Sequence, residues 1–423
     1  TINYTDGLGR LVRMERLLSA EGTPATTELH YDELSRLTGY TDDQDLTKIQ
    51  YFDLLDRVIQ VDDPNAIQST RYTYSDGGQV VRKDLPHGAV QLFEYDGTNR
   101  LTKRWEESQP ESTLIEWTFD QDATCPLEVC TYSAGQLVSI SFPDQGDSTA
   151  QERLGYDVRG RVITQVKSMR GLDFTTSITH NNQDQPLTVT FPDQRTLSYQ
   201  YDDAKRLTSI EGIIDSIDYD ERLFEASVNY ANGVQVKQEY DTRLRLSKHE
   251  VVSGAERIQS YTYQRGRTGL INEIEDLMAA SLTSEEDQSV SYAYDAWSRV
   301  IGATYQGNQD VRSHTYNSVD QLLAKTSSLE VSGAHQTDYA YQDTLLNAVQ
   351  STSGHSYQYD DAGRMVQRDS QRFSWDYLDR VTSITDNDAT TEMGYGSGRD
   401  RLYQNKKGQT TLYISDTFEI HDG

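Results

Sequence analysis

Phe191-Pro-Asp-Gln-Arg-Thr-Leu-Ser-Tyr-Gln-Tyr-Asp-Asp-Ala-Lys-Arg-Leu207 decides the fold of this 423-residue chain. It opens on a turn, because Pro192 sets φ for a first central residue. Tyr199 and Tyr201 follow with a period of two, which puts both rings on one face of a strand. Asp202 then starts a second turn, and Arg206-Leu207 begins the returning strand. The last seven residues form a phrase, aromatic-Asp-x-x-x-Arg-apolar, that recurs along the whole chain and marks a repeat architecture. Nine copies are complete: Tyr31-Asp32 with Arg36, Phe52-Asp53 with Arg57, Tyr95-Asp96 with Arg100, Tyr156-Asp157 with Arg161, Tyr201-Asp202 with Arg206, Tyr240-Asp241 with Arg245, Tyr294-Asp295 with Arg299, Tyr359-Asp360 with Arg364, and Trp375-Asp376 with Arg380. Degraded copies at Tyr74, His180 and Tyr316 fill gaps, so that neighbouring starts commonly lie 21 or 22 residues apart. The spacing loosens to 31 residues before Tyr294 and 16 before Trp375.

Asp at the first turn position and Gly at the fourth, as in Asp157 to Gly160 and Asp360 to Gly363, suit a type I turn. Ser35, Asp56, Asn99, Ser298 and Asp379 hold the fourth position elsewhere and suit a bend; Lys205 and Leu244 are exceptions. The Arg is placed to pair with its own turn Asp or with a neighbouring repeat's carboxylate. A second turn lies between phrases, as at Phe142-Pro-Asp-Gln145 and Leu85-Pro-His-Gly88. Each repeat is thus about two strands and two turns, and the chain supplies on the order of forty strands, too many for an open flat sheet. A propeller would need about ten blades, above the usual range, and a parallel β-helix needs no hairpin turns at both ends. The expected fold is all-β: a long antiparallel hairpin strip wound into a spiral and held by nearest-neighbour contacts.

The quoted segment resembles the repeat of the Rhs, or YD-repeat, family of bacterial toxin-associated proteins, which includes Tc toxin cocoon subunits and is related to animal teneurins. The family's form reads Pro-Asp-Gly, a strand, Tyr-x-Tyr-Asp, then Gly-Arg-Leu; this chain departs from it at Gln194 and Lys205. The resemblance implies part of a hollow shell, or cocoon, that encloses a toxic effector polypeptide for export or translocation. It implies further shell segments, in the same chain or a partner subunit, a secretion or translocation machine as partner, and delivery from a bacterium. Residues 1–423 read as one continuous shell segment of a larger protein, because Tyr4-Thr-Asp-Gly-Leu-Gly-Arg10 already lies inside a repeat. From 395 to 423 the chain resembles the start of the family's transition to a shell-closing core.

Composition fits a thin wall. Apolar residues make up 35% of the chain, and 28 Tyr dominate the aromatics over 9 Phe and 4 Trp. A solid core asks for more apolar residues, whereas Tyr covers apolar area while its hydroxyl stays wet. The net charge of −28 argues against nucleic acid as a partner; solubility and the blunting of sheet edges account for it, and retention of a basic cargo is the sharper alternative. No stretch is long and apolar enough to span a membrane.

Nothing in the pattern points to chemistry, so the expectation is no catalytic, cofactor or metal site. The eight His are scattered, and no nucleophile elbow or phosphate-binding loop occurs. One Asp per turn followed by Arg supplies too few oxygens for calcium. The family's self-cleaving aspartic centre needs Asp-Pro-x-Gly, and the only Asp-Pro, Asp63-Pro64, continues Asn-Ala. Cys125 and Cys130 read as two free thiols, with a local disulfide as the alternative. Residues 264–290 read as an irregular insertion, in which Ile271 to Leu282 is either a strand with an acidic loop or a short helix. A teneurin-like adhesion surface for a receptor or glycan is the competing function.

Overall fold

The computed structural model describes residues 1–17, 24–120, 129–144, 149–278, 286–329, 336–342, 345, 347–387 and 389–421. These form 38 strands and one short helix, Pro110–Thr113. Every strand from β1 (Ile2–Thr5) to β30 (Val349–Thr352) pairs antiparallel with the next, without crossovers. A second run of eight, β31 (Tyr357–Tyr359) to β38 (Phe418–His421), continues in the same way. Among the described residues, an isolated Ser351–Ser356 bridge links the end of the first run to the start of the second. The all-β hairpin strip expected from the repeats is therefore the fold.

One hairpin shows why the phrase folds as it does. β5 (Thr47–Phe52) and β6 (Val58–Asp62) meet at Asp53, whose N–H donates to Arg57 O at 2.9 Å while Asp56 N–H donates back to Asp53 O at 3.3 Å. The register slips between Tyr51 and Phe52. This is a type I turn followed by a left-handed residue in a G1 bulge, whose twist matches the strands. The fourth turn residue must then take positive φ, and Ser35, Asp56, Asn99, Ser298 and Asp379 do so, as do Gly160 and Gly363. Lys205 (67°) and Leu244 (62°) are forced into the same region, which is why they broke the sequence pattern.

Inside 264–290 the structure places a regular hairpin, Glu256–Arg265 with Ile271–Asp276. Its turn has the same two backbone bonds, Gly266 N to Leu270 O at 2.9 Å and Gly269 N to Gly266 O at 3.0 Å. Arg265, Gly266 and Leu270 stand where other copies have the aromatic, Asp and Arg, so the expected insertion starts about ten residues later. Ile271–Asp276 is a strand rather than a helix, and Leu282 lies outside the described residues. Hairpins also continue from 395 to 421, as Arg401–Lys406, Gln409–Ser415 and Phe418–His421.

The strip closes on itself. Trp297 Nε1 donates to Leu17 O at 3.2 Å, Ile67 N to Asp361 O at 2.7 Å, Gln91 Nε2 to Tyr377 O at 3.2 Å and an Arg104 guanidinium nitrogen to Ser397 O at 2.6 Å. These pairs lie 280 to 294 residues apart, counting Ile67 to Asp361 as 361 − 67 = 294. About 25 strands separate them, and at ~4.8 Å per strand one coil measures ~120 Å around and ~40 Å across. The 38 strands therefore make about one and a half coils, tighter than the single turn about a ~60 Å hollow that strand count alone suggests; the excess length is spent on overlap. The exposed surface agrees: 24625 Å² for 48.1 kDa, against about 16,500 Å² for a compact monomer of that mass. The wall is one sheet thick and wet on both faces.

Candidate functional site: the turn ladder and the seam between coils

Each phrase builds one rung. In its turn, Asp53 Oδ1 accepts the N–H groups of Leu55 (2.8 Å) and Arg57 (3.0 Å), and Oδ2 accepts Arg57 Nε at 2.7 Å. Asp32, Asp96, Asp157, Asp241, Asp360 and Asp376 repeat that geometry with Arg36, Arg100, Arg161, Arg245, Arg364 and Arg380, as do Asp202 with Arg206 and Asp295 with Arg299. The hydrogen bond from the Arg161 side chain is the largest influence pulling Asp157 down to about 2, and Arg245 does the same for Asp241.

The guanidinium also reaches the next rung. Arg36 Nη1 donates to Asp53 O (3.0 Å) and Asp56 Oδ1 (2.7 Å), Arg299 Nη1 to Asn317 O and Asp320 Oδ1 (both 2.8 Å), and Arg380 Nη1 to Gly396 O at 2.8 Å. The same cations lie over the next aromatic: Arg36 over Phe52 at 4.9 Å, Arg206 over Tyr219 at 4.5 Å, Arg364 over Trp375 at 5.9 Å. The ring answers in turn. Tyr31 hydroxyl donates to Leu11 O, Tyr95 to Val80 O, Tyr156 to Leu137 O and Tyr294 to Ile271 O, each a carbonyl of the preceding repeat. Trp375 Nε1 makes the equivalent bond to Met365 O, and Tyr240 reaches Glu225 O. Tyr201 and Tyr359 occupy the same strand-end position, where burial raises their hydroxyl pKa values.

The degraded copies are chemically consistent substitutions. Asn181 Oδ1 accepts Gln183 and Gln185 N–H as Asp does, and its Nδ2 donates to Gln185 Oε1 at 3.0 Å; Asn317 and Gln321 match them. In the His180 and Tyr316 copies a charged Asp–Arg pair is exchanged for a neutral Asn–Gln pair. Replacing Arg299 with Lys, which has no planar fork, is expected to strip the 317–321 turn of its two inter-rung bonds. That loss, about 2 kcal/mol, should raise hydrogen exchange there roughly thirtyfold while repeats beyond 340 stay protected; a cooperative loss across the chain would contradict the nearest-neighbour ladder.

The second set of residues escaped the sequence reading. At the seam, phrase turns of the later coil sit on the second turns of the earlier one. Arg16 lies 4.0 Å over Trp297, Tyr377 hydroxyl donates to Thr113 O at 3.1 Å, His87 stands 3.3 Å from Asp379, and Phe191 stacks on Phe418 at 5.7 Å. Burial raises the Tyr377 pKa and lowers that of Arg104. Beside them Ile115, Phe142, Ala150, Met169 and Phe174 pack on Leu402, Tyr403, Leu412 and Ile414. The signal was present: Trp297 and Tyr377 are aromatic at turn-tip positions where a type I turn calls for small or polar residues. Cys130 is disulfide-bonded, against the expected free thiol; the only other cysteine, Cys125, lies outside the described residues. Among the described residues no cluster of His, Cys, Asp or Glu is placed to hold a metal, and no helix is long and apolar enough to cross a membrane.

A family model described as teneurin YD-shell matches residues 206–416. No curated protein matches the chain. Among solved structures it is similar to TcdB2–TccC3, with a TM-score of 0.83 at 16% identity, covering 99% of this chain and 25% of that one. A form of TcdB2–TccC3 without the hypervariable C-terminal region gives 0.83 at 16% identity, with 98% and 24% covered. A Photorhabdus luminescens Tc holotoxin pore gives 0.82 at 16%, with 97% and 23% covered. The chain thus spans about a quarter of the length of the solved chains it matches. With the nine complete phrases and the family model agreeing, the chain is a member of the YD-repeat, or Rhs, family, and its fold is that of a YD-shell β-strip.

Proposed function

We propose that this strip is a stretch of shell wall enclosing a toxic effector polypeptide for export or translocation. The observation that supports it most is the closure of the strip: a wall one sheet thick, coiled about a space ~40 Å across, surrounds a volume without filling it. Deducting one sheet thickness of ~10 Å leaves ~30 Å of clear width, room for a loosely folded chain. The structural likeness to TcdB2–TccC3 and to a Tc holotoxin pore points to the same setting, with toxin components as partners and secretion as part of a complex. Cys130 in a disulfide fits an oxidising compartment. The wall's contribution is mechanical: no group in the ladder is arranged as nucleophile and base, and its Asp and Arg are occupied with each other.

The test is a cryo-electron microscopy map of the protein as its producing cell makes it. Weak non-shell density within a closed wall supports encapsulation. A solid β-domain, or an open strip with ordered loops, overturns it in favour of an adhesion surface.

A further inference from the structure

The chain has 67 acidic side chains for 39 basic ones, so a buried cation that goes without a carboxylate is not explained by scarcity. Lys167 is such a cation. It is 9% exposed, and on the strand Val162–Met169 it lies between Glu152 and Phe174 of the two neighbouring strands. Phe174 belongs to the apolar cluster of the seam. Glu152 stands directly across the ladder, yet its carboxylate turns to Gln165, whose Nε2 donates to Oε1 at 2.6 Å. Among the described residues the Lys167 side chain makes no hydrogen bond and no ion pair. A cation withdrawn from water without gaining a partner is destabilising until an anion joins it.

Lys167 lines a cavity of about 900 Å³, within the roughly 300–1,000 Å³ of small-ligand sites. Glu152 and Gln165 line it beside Lys167, and Asp400, Arg401 and the turn from 413 to 419 complete the lining. Arg401 is already engaged: its Nη1 donates to Gln404 Oε1 at 2.8 Å, and its guanidinium lies 5.5 Å over the Tyr413 ring. One free positive charge is left, which suits one carboxylate. The surrounding acids disfavour a dianion such as phosphate. They also call for hydroxyl groups, because an ionised carboxylate only accepts hydrogen bonds, and Asp400 and Asp416 accept none from a described side chain. Ser415 and Thr417 add hydroxyls of their own to the lining.

We infer that this cavity binds an acidic sugar, a pyranose bearing one carboxylate, with Lys167 holding the carboxylate and Asp400 and Asp416 accepting ring hydroxyls. This goes beyond the enclosure of a polypeptide and does not depend on it, since the same residues line the cavity whatever the wall surrounds.

Isothermal titration calorimetry of the full-length protein tests it with glucuronate, glucose and cyclohexanecarboxylate. Glucuronate should bind roughly tenfold or more tightly than glucose, which lacks the carboxylate, and than cyclohexanecarboxylate, which lacks the hydroxyls. Lys167→Met, which keeps the side chain's length and suits its neighbour Phe174, should weaken glucuronate roughly tenfold or more, and Asp416→Ala, on an exposed turn, about threefold. A hyaluronan tetrasaccharide carries the same acid within a chain: tighter binding than glucuronate assigns the site to a glycan, and equal or weaker binding assigns it to a free sugar acid. Cyclohexanecarboxylate binding as tightly as glucuronate would make Lys167 a general carboxylate acceptor and overturn the sugar. Absence of glucuronate binding, or binding that Lys167→Met leaves unchanged, overturns the site. Should Lys167→Met fail to fold, acetylation of Lys167 by acetic anhydride, read by peptide mass, decides in the unaltered sequence. Glucuronate should slow that reaction and glucose should not; equal rates with and without glucuronate overturn the site.

Discussion

Truncating Phe142 to alanine is expected to cost about 3–5 kcal/mol and to open the coil at its seam while leaving most hairpins intact. Phe142 is 2% exposed, and a methyl group built on Gly396 would touch its ring at 3.8 Å, so the later coil's turn lies directly on it. Its cluster holds nine of the 22 buried apolar side chains that the described residues contain. Elsewhere each hairpin is held by its neighbours and its ladder of Asp, Arg and aromatic groups, none of which passes through Phe142. The variant should therefore show faster hydrogen exchange across 401–415, a larger radius of gyration by small-angle X-ray scattering, and unchanged protection in the 225–253 hairpins. An unchanged radius would mean that closure is carried by the polar contacts at Leu17, Ile67 and Arg104. Loss of the 225–253 protection would mean that the array is cooperative throughout, against the behaviour of linear repeats.

The difference between ladder and seam explains how much could be read without a structure. Most of the local pattern was legible. Tyr199 and Tyr201 gave the strand period, Asp157 with Gly160 the turn, and the 21-residue spacing the hairpin count. What failed locally failed by substitution that preserves geometry: Arg265, Gly266 and Leu270 match the phrase at none of their positions, yet close the same bulged turn, because backbone bonds and one left-handed residue suffice. The seam was not legible. Its pairs lie from 418 − 191 = 227 to 361 − 67 = 294 residues apart, and nothing in the neighbourhood of Leu17 states that Trp297 will cover it. Strand number and spacing bound a circumference but not the overlap, which is why the expected hollow was too wide. The one local trace was chemical, an indole and a phenol on turn tips that had no local use for them.

Acid should loosen the wall through the same Asp residues that build it, but only after a first phase in which acid helps. Two effects oppose each other. The chain carries a net charge of −28, and protonating exposed carboxylates from pH 7 to about 5 relieves that self-repulsion. The turn Asp groups act later and in the other direction. Folding holds Asp157 and Asp241 at about 2, below the unfolded value of about 3.9, and Asp32, Asp53 and Asp202 shift the same way. A group whose pKa is depressed by folding stabilises the fold fully above its unfolded pKa and ceases to do so as pH falls through the folded one. The melting temperature is thus expected to rise between pH 7 and about 5, level off, and fall between about 4 and 2, with added salt flattening the first phase. A control is built into the molecule, since Asn181 with Gln185 closes its rung with a neutral amide where the other rungs use a carboxylate. Asp157→Asn combined with Arg161→Gln copies that neutral rung, so hydrogen exchange at 157–161 in the double variant should lose most of its acid dependence while the Asp241 turn keeps it. Equal acid dependence at both turns would show that the lability arises from the wall's overall charge and not from its rungs.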